Sequence, residues 1–237
     1  MNNQQSAPAP SPYNSFYKER DPRYVYPVEF VVRALLGKYP RHAANASVYP
    51  GQRVLDLGFG DGRNMPLMHN LGMEIHGVEI APEICELTAA RMERLGISTH
   101  LVVGRNATLP FDDAYFDRIL ACHACYYVDH GQTFADNVRE IARVTRSGGE
   151  FILSLPKASS YIFSGAEDIG DGHMKIANDP YGVRNGSILK KFDTEDHIRA
   201  ALDPAFTDVA IGSCQNDFWG VEEHVWTVVC CRTGIEQ

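Results

Sequence analysis

No stretch of this chain approaches the uninterrupted apolar length that a membrane-spanning helix needs. Its first dozen residues, MNNQQSAPAPSP, have neither the cationic start nor the apolar core of an export signal. Basic residues are also scarce: 22 Lys and Arg stand against 30 Asp and Glu, a formal net charge of -8. A protein that neutralises the phosphates of a duplex ordinarily carries the opposite excess, so nucleic acid is not an expected partner. Cysteine occurs six times without a repeated framework. Cys122 and Cys125 form one C-x-x-C, and no second such pair completes a four-thiolate zinc site, so packing at a strand end is expected and no metal. What remains is a cytoplasmic protein acting on a small molecule, its oligomeric state unmarked in the sequence. With 44% hydrophobic residues in 237, it has enough apolar material for one substantial core.

The chain is organised around Arg53 to Arg63, RVLDLGFGDGR. Val54-Leu55-Asp56-Leu57 suits a buried parallel strand, and it passes into Gly58, Gly60 and Gly62, a tight turn whose backbone can approach a ligand closely. The dinucleotide pattern G-x-G-x-x-G would need glycine at position 63, where Arg63 stands, which weighs against a pyrophosphate guest. Strands and helices then alternate. Helices are expected over Asn64 to Leu71, Pro82 to Leu95 and Thr133 to Thr145, and strands over Met73 to Glu79, His100 to Val103, Arg118 to Cys122 and Glu150 to Leu155. A helix from Thr194 to Leu202 and strands at Phe206 to Ile211 and Val225 to Cys231 close the chain. The expected fold is a three-layer, Rossmann-like α/β domain whose seven-stranded sheet has an antiparallel last strand. Glu79 lies 23 residues after Asp56. That is near the interval of about 20 at which such a unit sets an acid on ribose hydroxyls, where a carboxylate accepts from both.

D-x-G-x-G-x-G resembles motif I of the class I S-adenosylmethionine (SAM) dependent methyltransferases. Gly104-Arg105-Asn106-Ala107-Thr108-Leu109-Pro110-Phe111, followed by Phe116-Asp117, resembles the G-D-A-x-x-L-P-F…F-D signature of their type-11, UbiE-like branch. Together with the Gly148-Gly149 join before the fifth strand, the resemblance covers roughly residues 50 to 156. It implies SAM as cofactor, with contacts from Asp56, Gly58, Gly60, Asp61, Gly62, Glu79, Ile80, Asn106, Ala107 and His123. Arg105 stands where the family usually has an acid that meets adenine, so Asn106 is the residue expected to accept from the adenine amino group. A leader in related enzymes often folds over the cofactor, which would bring Tyr13, Tyr17 and Arg20 to cofactor or acceptor.

Residues 1 to 12, rich in Pro, Ser, Asn and Gln, are expected to be a disordered tail before a single domain over 13 to 237. From Pro156 to Ile188 the alternation lapses, and a connection of that length is expected to be functional, here a lid over the acceptor site. It holds Tyr181, His173 and Arg184, the last suited to a phosphate or carboxylate. Asn178-Asp179-Pro180-Tyr181 reads as a turn. His123 and Tyr127 follow the fourth strand, where open parallel sheets expose loops to ligand. His123 and His173 are the candidate bases, and Arg184, Tyr127, Tyr181 and Arg20 the candidate acceptor contacts. The expected activity is O- or N-methylation of a small molecule. Two rival readings are a nucleotide-sugar or polysaccharide methyltransferase and a non-catalytic SAM-binding regulator.

Overall fold

The computed structural model describes residues 12–19 and 25–234. The expected tail over 1 to 12 lies almost wholly outside them, and so does Arg20. Two helices, α1 (Pro12–Lys18) and α2 (Glu29–Leu36), precede a minimal hairpin of β1 (Lys38–Tyr39) and β2 (His42–Ala43). The alternating part follows: β3 (Arg53–Leu57), α3 (Met65–Asn70), β4 (Glu74–Glu79), α4 (Pro82–Arg94), β5 (Thr99–Val103) and β6 (Phe116–Ala121). After β7 (Tyr127–Val128) come α5 (Phe134–Val144) and β8 (Thr145–Pro156). The rest is β9 (Glu167–Asp168), β10 (His173–Lys175), β11 (Ile188–Lys190), α6 (Glu195–Leu202), β12 (Phe206–Asp217) and β13 (Glu222–Arg232).

The main sheet has seven strands in the order β12-β13-β8-β6-β3-β4-β5. Strands β8, β6, β3, β4 and β5 are mutually parallel, and β13 runs antiparallel to both of its neighbours. Successive residues of a strand face opposite sides, and β3 shows the result. Val54 joins Ile75, Leu120 and Ile152 in a core with Val31 of α2, Met68 of α3 and Ile84 of α4. Leu55 and Leu57 join Ile119, Phe151 and Leu153 in a second core with Ile141 of α5 and Ile198 of α6. Helix starts follow local chemistry. Thr133 and Asp136 form a reciprocal capping box on α5, and the Thr194 side chain accepts the His197 N–H at the start of α6.

Two features differ from the sequence expectation. The segment after β8 is not simply irregular: β9, β10 and β11 join β7 in a four-stranded antiparallel sheet, order β7-β11-β10-β9. Strands of two or three residues show no periodicity, and each exists only through a distant partner. The terminal hairpin also runs further than its apolar alternation. Pairing continues from Gly212 opposite Thr227 to Asp217 opposite Glu222, and the turn beyond carries Trp219, 98% exposed. No helix of the described residues is long and apolar enough to cross a membrane.

Candidate active site

β3 delivers the chain to the glycine turn, where Gly58, Gly60 and Gly62 have φ of 66°, 53° and 70°. Side chains would not fit there even if the backbone allowed them. A Cβ on Gly58 would come within 2.5 Å of the Ala124 Cβ, and one on Gly60 within 2.3 Å of the Tyr17 hydroxyl. The turn is tied down from α4: Thr88 Oγ1 donates to the Gly60 carbonyl at 2.7 Å, and Arg91 Nη1 donates to the Asp61 carbonyl. Asp61 itself is buried with its carboxylate 3.4 Å from Arg63 Nε, so the arginine at the third-glycine position is bound into the loop. At the end of β4, Glu79 Oε2 accepts the Gly60 N–H at 3.1 Å and Oε1 accepts the Ile80 N–H at 2.8 Å. Desolvation raises the Glu79 pKa, and those two backbone donors oppose the rise.

Beneath the turn lies Asp56, 1% exposed, and its Oδ2 meets no donor among the described residues. Burial, followed by repulsion from Asp61 and Glu79, pushes its pKa up to about 8. A buried carboxyl without a donor is costly unless a guest completes it. On the far side, backbone hydrogen bonds between Arg105 and Thr108 close a turn that presents Asn106 and Ala107. Asn106 Nδ2 donates to the carbonyls of Ala124 and Tyr127, both at 3.0 Å, which orients its side-chain oxygen as the remaining acceptor. Arg105, which departs from the family signature, pairs on the surface with Asp129 at 2.6 Å.

After β6 the chain turns at His123 in a left-handed conformation, φ 57°, with its N–H donated to Ser154 Oγ at 2.9 Å. Next to it the four-stranded sheet, the leader and the segment after β8 build a cluster around Arg184. Arg184 Nε donates to Tyr127 Oη at 3.1 Å, Nη1 lies 3.2 Å from Asp179 Oδ1, and Tyr13 Oη meets Tyr127 Oη at 2.8 Å. Asp179 also shapes the turn, accepting from the N–H groups of Tyr181, Val183 and Arg184. Desolvation disfavours the Arg184 charge, but Tyr127, Tyr126, Tyr161 and Tyr13 around it outweigh that, and the net shift favours the cation.

Residues 55–153 match the family described as a methyltransferase domain. The match takes in the glycine turn, Glu79 and the turn between Arg105 and Thr108, so this part of the chain is similar to a methyltransferase domain. An uncharacterized protein of Mycobacterium tuberculosis is 30% identical over 118 residues, which make up 50% of this chain and 41% of that one. The uncharacterized methyltransferase YcgJ of Bacillus subtilis is 30% identical over 137 residues, 57% of this chain and 52% of the relative. The chain thus spans about half, or less, of the length of these relatives. A SAM-dependent methyltransferase structure from Methanosarcina mazei superposes with a TM-score of 0.64 at 17% identity, covering 77% of this chain and 93% of the other.

The cradle around the glycine turn suits SAM on its own geometry. Asp56 offers an unmet buried carboxyl, Gly58 and Gly60 leave no room for side chains, and Glu79 presents a carboxylate at the strand end. Gly58, Gly60, Asp61 and Gly62 form the turn, Glu79 and Ile80 meet it from the end of β4, and Tyr17 reaches Gly60, while Asn106, with Ala107 beside it, donates to the carbonyl of Ala124, which packs on Gly58 and follows His123. Tyr127, Tyr181 and Arg184 come together in the second cluster. His173 does not join it: buried on β10, its Nε2 accepts the Phe134 N–H at 3.4 Å, and Nδ1 lies 3.7 Å from Asp171. That ring serves an orphan donor at the start of α5, which makes it a poor base candidate. Sequence reasoning missed Glu223, whose Oε1 stands 4.0 Å from His123 Nε2.

Cys122 and Cys125 are free thiols whose pKa values burial pushes up, the reverse of what a zinc-bound or redox-active thiolate needs. Among the described residues no His, Cys, Asp and Glu cluster suits a metal. With both thiols held protonated by burial, the protein should purify without stoichiometric zinc. Changing both cysteines to Ala should cost stability, about 1 kcal/mol or more, while SAM affinity stays within roughly twofold. Metal analysis and calorimetry check this, and one zinc per chain would overturn it.

Proposed function

We propose that this protein transfers a methyl group from SAM to a small molecule bound beside the glycine turn. One observation carries the reading: His123 stands next to Ala124, which packs on Gly58, and feels the charges of both Arg63 in the glycine turn and Arg184 in the tyrosine cluster, so guests of the two would meet there. SAM supplies an electrophilic methyl on a sulfonium. The protein's residues supply position and environment. Glu79 and the Gly60 backbone hold the ribose end, Asp56 takes the cationic end, and Asn106 faces the adenine edge. Arg184 and the tyrosines orient the acceptor, which matters because alignment accounts for much of the rate in an in-line displacement. The segment 156–188 acts as the acceptor-site lid of a single catalytic unit beginning near Tyr13. We place the reaction in the cytoplasm, where the free thiols would stay reduced.

Calorimetry tests the first half: SAM and S-adenosylhomocysteine should bind and NAD should not, and the reverse would sink the reading. Release of S-adenosylhomocysteine across an acceptor panel, with mass spectrometry of the products, tests the second. With an anionic acceptor, Arg184→Ala should raise KM about 10- to 100-fold, the loss of one charged hydrogen bond, and leave SAM affinity unchanged. An unaltered KM in the folded variant would remove Arg184 from the acceptor site.

A further inference from the structure

We infer that Glu223 and His123 form a proton-accepting pair, Glu223 orienting the imidazole so that its Nδ1 takes the proton of an acceptor hydroxyl. This rests on the methyl-transfer reading and deepens it, because it makes the acceptor an O–H compound acidic enough for an imidazole to deprotonate, such as a phenol or enol. Glu223 reaches the site through topology. It is the second residue of β13, and since β13 runs antiparallel to β8, its first residues lie at the same sheet edge as the ends of β6 and β8. His123 is aimed from the other side by its left-handed backbone and by the hydrogen bond from its N–H to Ser154.

The pair stands 4.0 Å apart, His123 Nε2 to Glu223 Oε1, both side chains about one-third exposed. That is ion-pair distance and longer than a hydrogen bond, as is common for catalytic contacts before a substrate closes the site. With Nε2 carrying its hydrogen toward the carboxylate, the lone pair is left on Nδ1. Three charged groups face the ring: Glu223 from β13, Arg184 from the segment after β8, and Arg63 from the glycine turn. Desolvation lowers the His123 pKa, Glu223 opposes this, and Arg184 and Arg63 add to the lowering. The ring is therefore neutral near pH 7 and able to accept. The step balances: the hydroxyl proton goes to Nδ1, the oxygen lone pair becomes the new carbon–oxygen bond, and the electrons of the broken carbon–sulfur bond stay on sulfur. Arg184 is placed to favour the developing oxyanion.

The test titrates His123 by NMR in protein saturated with S-adenosylhomocysteine. In Glu223→Gln the His123 pKa should fall by about one unit and the Nε2–H tautomer should lose its excess, with Glu223→Asp intermediate. Identical titration curves in parent and Gln variant would overturn the pair. A second readout uses 4-nitrophenol as probe with the same loaded protein, below the probe's solution pKa. The phenolate absorbance should rise on binding to the parent and much less on binding to Glu223→Gln; no rise with the parent, or an equal rise with both, would also overturn it. Failure of S-adenosylhomocysteine to bind at all would instead refute the methyl-transfer reading, which keeps the two failures apart.

Discussion

Asp56→Asn should give a protein that, without cofactor, is more stable than its parent in alkaline solution. The difference should widen by about 4 kcal/mol between pH 5 and pH 8. In the folded chain, burial and then the neighbouring acids hold the Asp56 carboxyl protonated up to about pH 8. In the unfolded chain it ionises near its ordinary value of about 3.9. Below that value both states carry the proton and the group is neutral in its effect. Between the two values the unfolded state sheds a proton that the folded state keeps, so parent stability drains away as pH rises, about 1.4 kcal/mol per unit. Asn cannot ionise and is spared that slope. Urea denaturation of both proteins at several pH values reads the difference, and parallel stability curves would show that Asp56 ionises normally. On the proposed assignment of Asp56 to the cationic end of SAM, the same substitution should weaken SAM binding about tenfold or more. A variant that gains stability and loses its ligand is the signature of a group placed for function.

Glu79→Ala should weaken SAM about 100-fold or more while the protein stays folded. Two losses add. The ribose diol loses a carboxylate acceptor, a charged hydrogen bond worth about 1.5–3 kcal/mol. The Gly60 N–H, which Glu79 Oε2 now accepts at 3.1 Å, also loses its partner in the turn that must receive the cofactor. Glu79→Gln separates the two, since its amide oxygen can still accept from one donor but offers no charge, and its loss should be smaller. Calorimetric dissociation constants for the three proteins decide the matter, and an unchanged constant in the Ala variant would remove Glu79 from the site.

Features written locally were legible from the sequence. The glycine turn announces itself through three glycines after an apolar run, and Glu79 through its interval from Asp56. Two helix starts followed from Thr133 and Thr194, whose side chains cap α5 and α6. Features made by distant pairing were not. Glu223 sits in a polar stretch, and only the antiparallel course of β13 carries it to His123. The small sheet was hidden because β7 and β11 are separated by some sixty residues and are too short to show a period. His173 looked like a base because histidine in a long irregular segment is the right residue type. Its burial against the Phe134 N–H is a matter of packing that the residue type does not reveal. The polar half of the terminal hairpin escaped for a related reason: its strands are held by backbone pairing, without an apolar face to mark them.

Helix α1 touches both halves of the site. Tyr17 lies on Gly60, and Tyr13, one turn earlier on the same face, meets the Tyr127 hydroxyl that Arg184 also binds. Swinging that helix aside uncovers the glycine turn and breaks the contact with the tyrosine cluster in one motion.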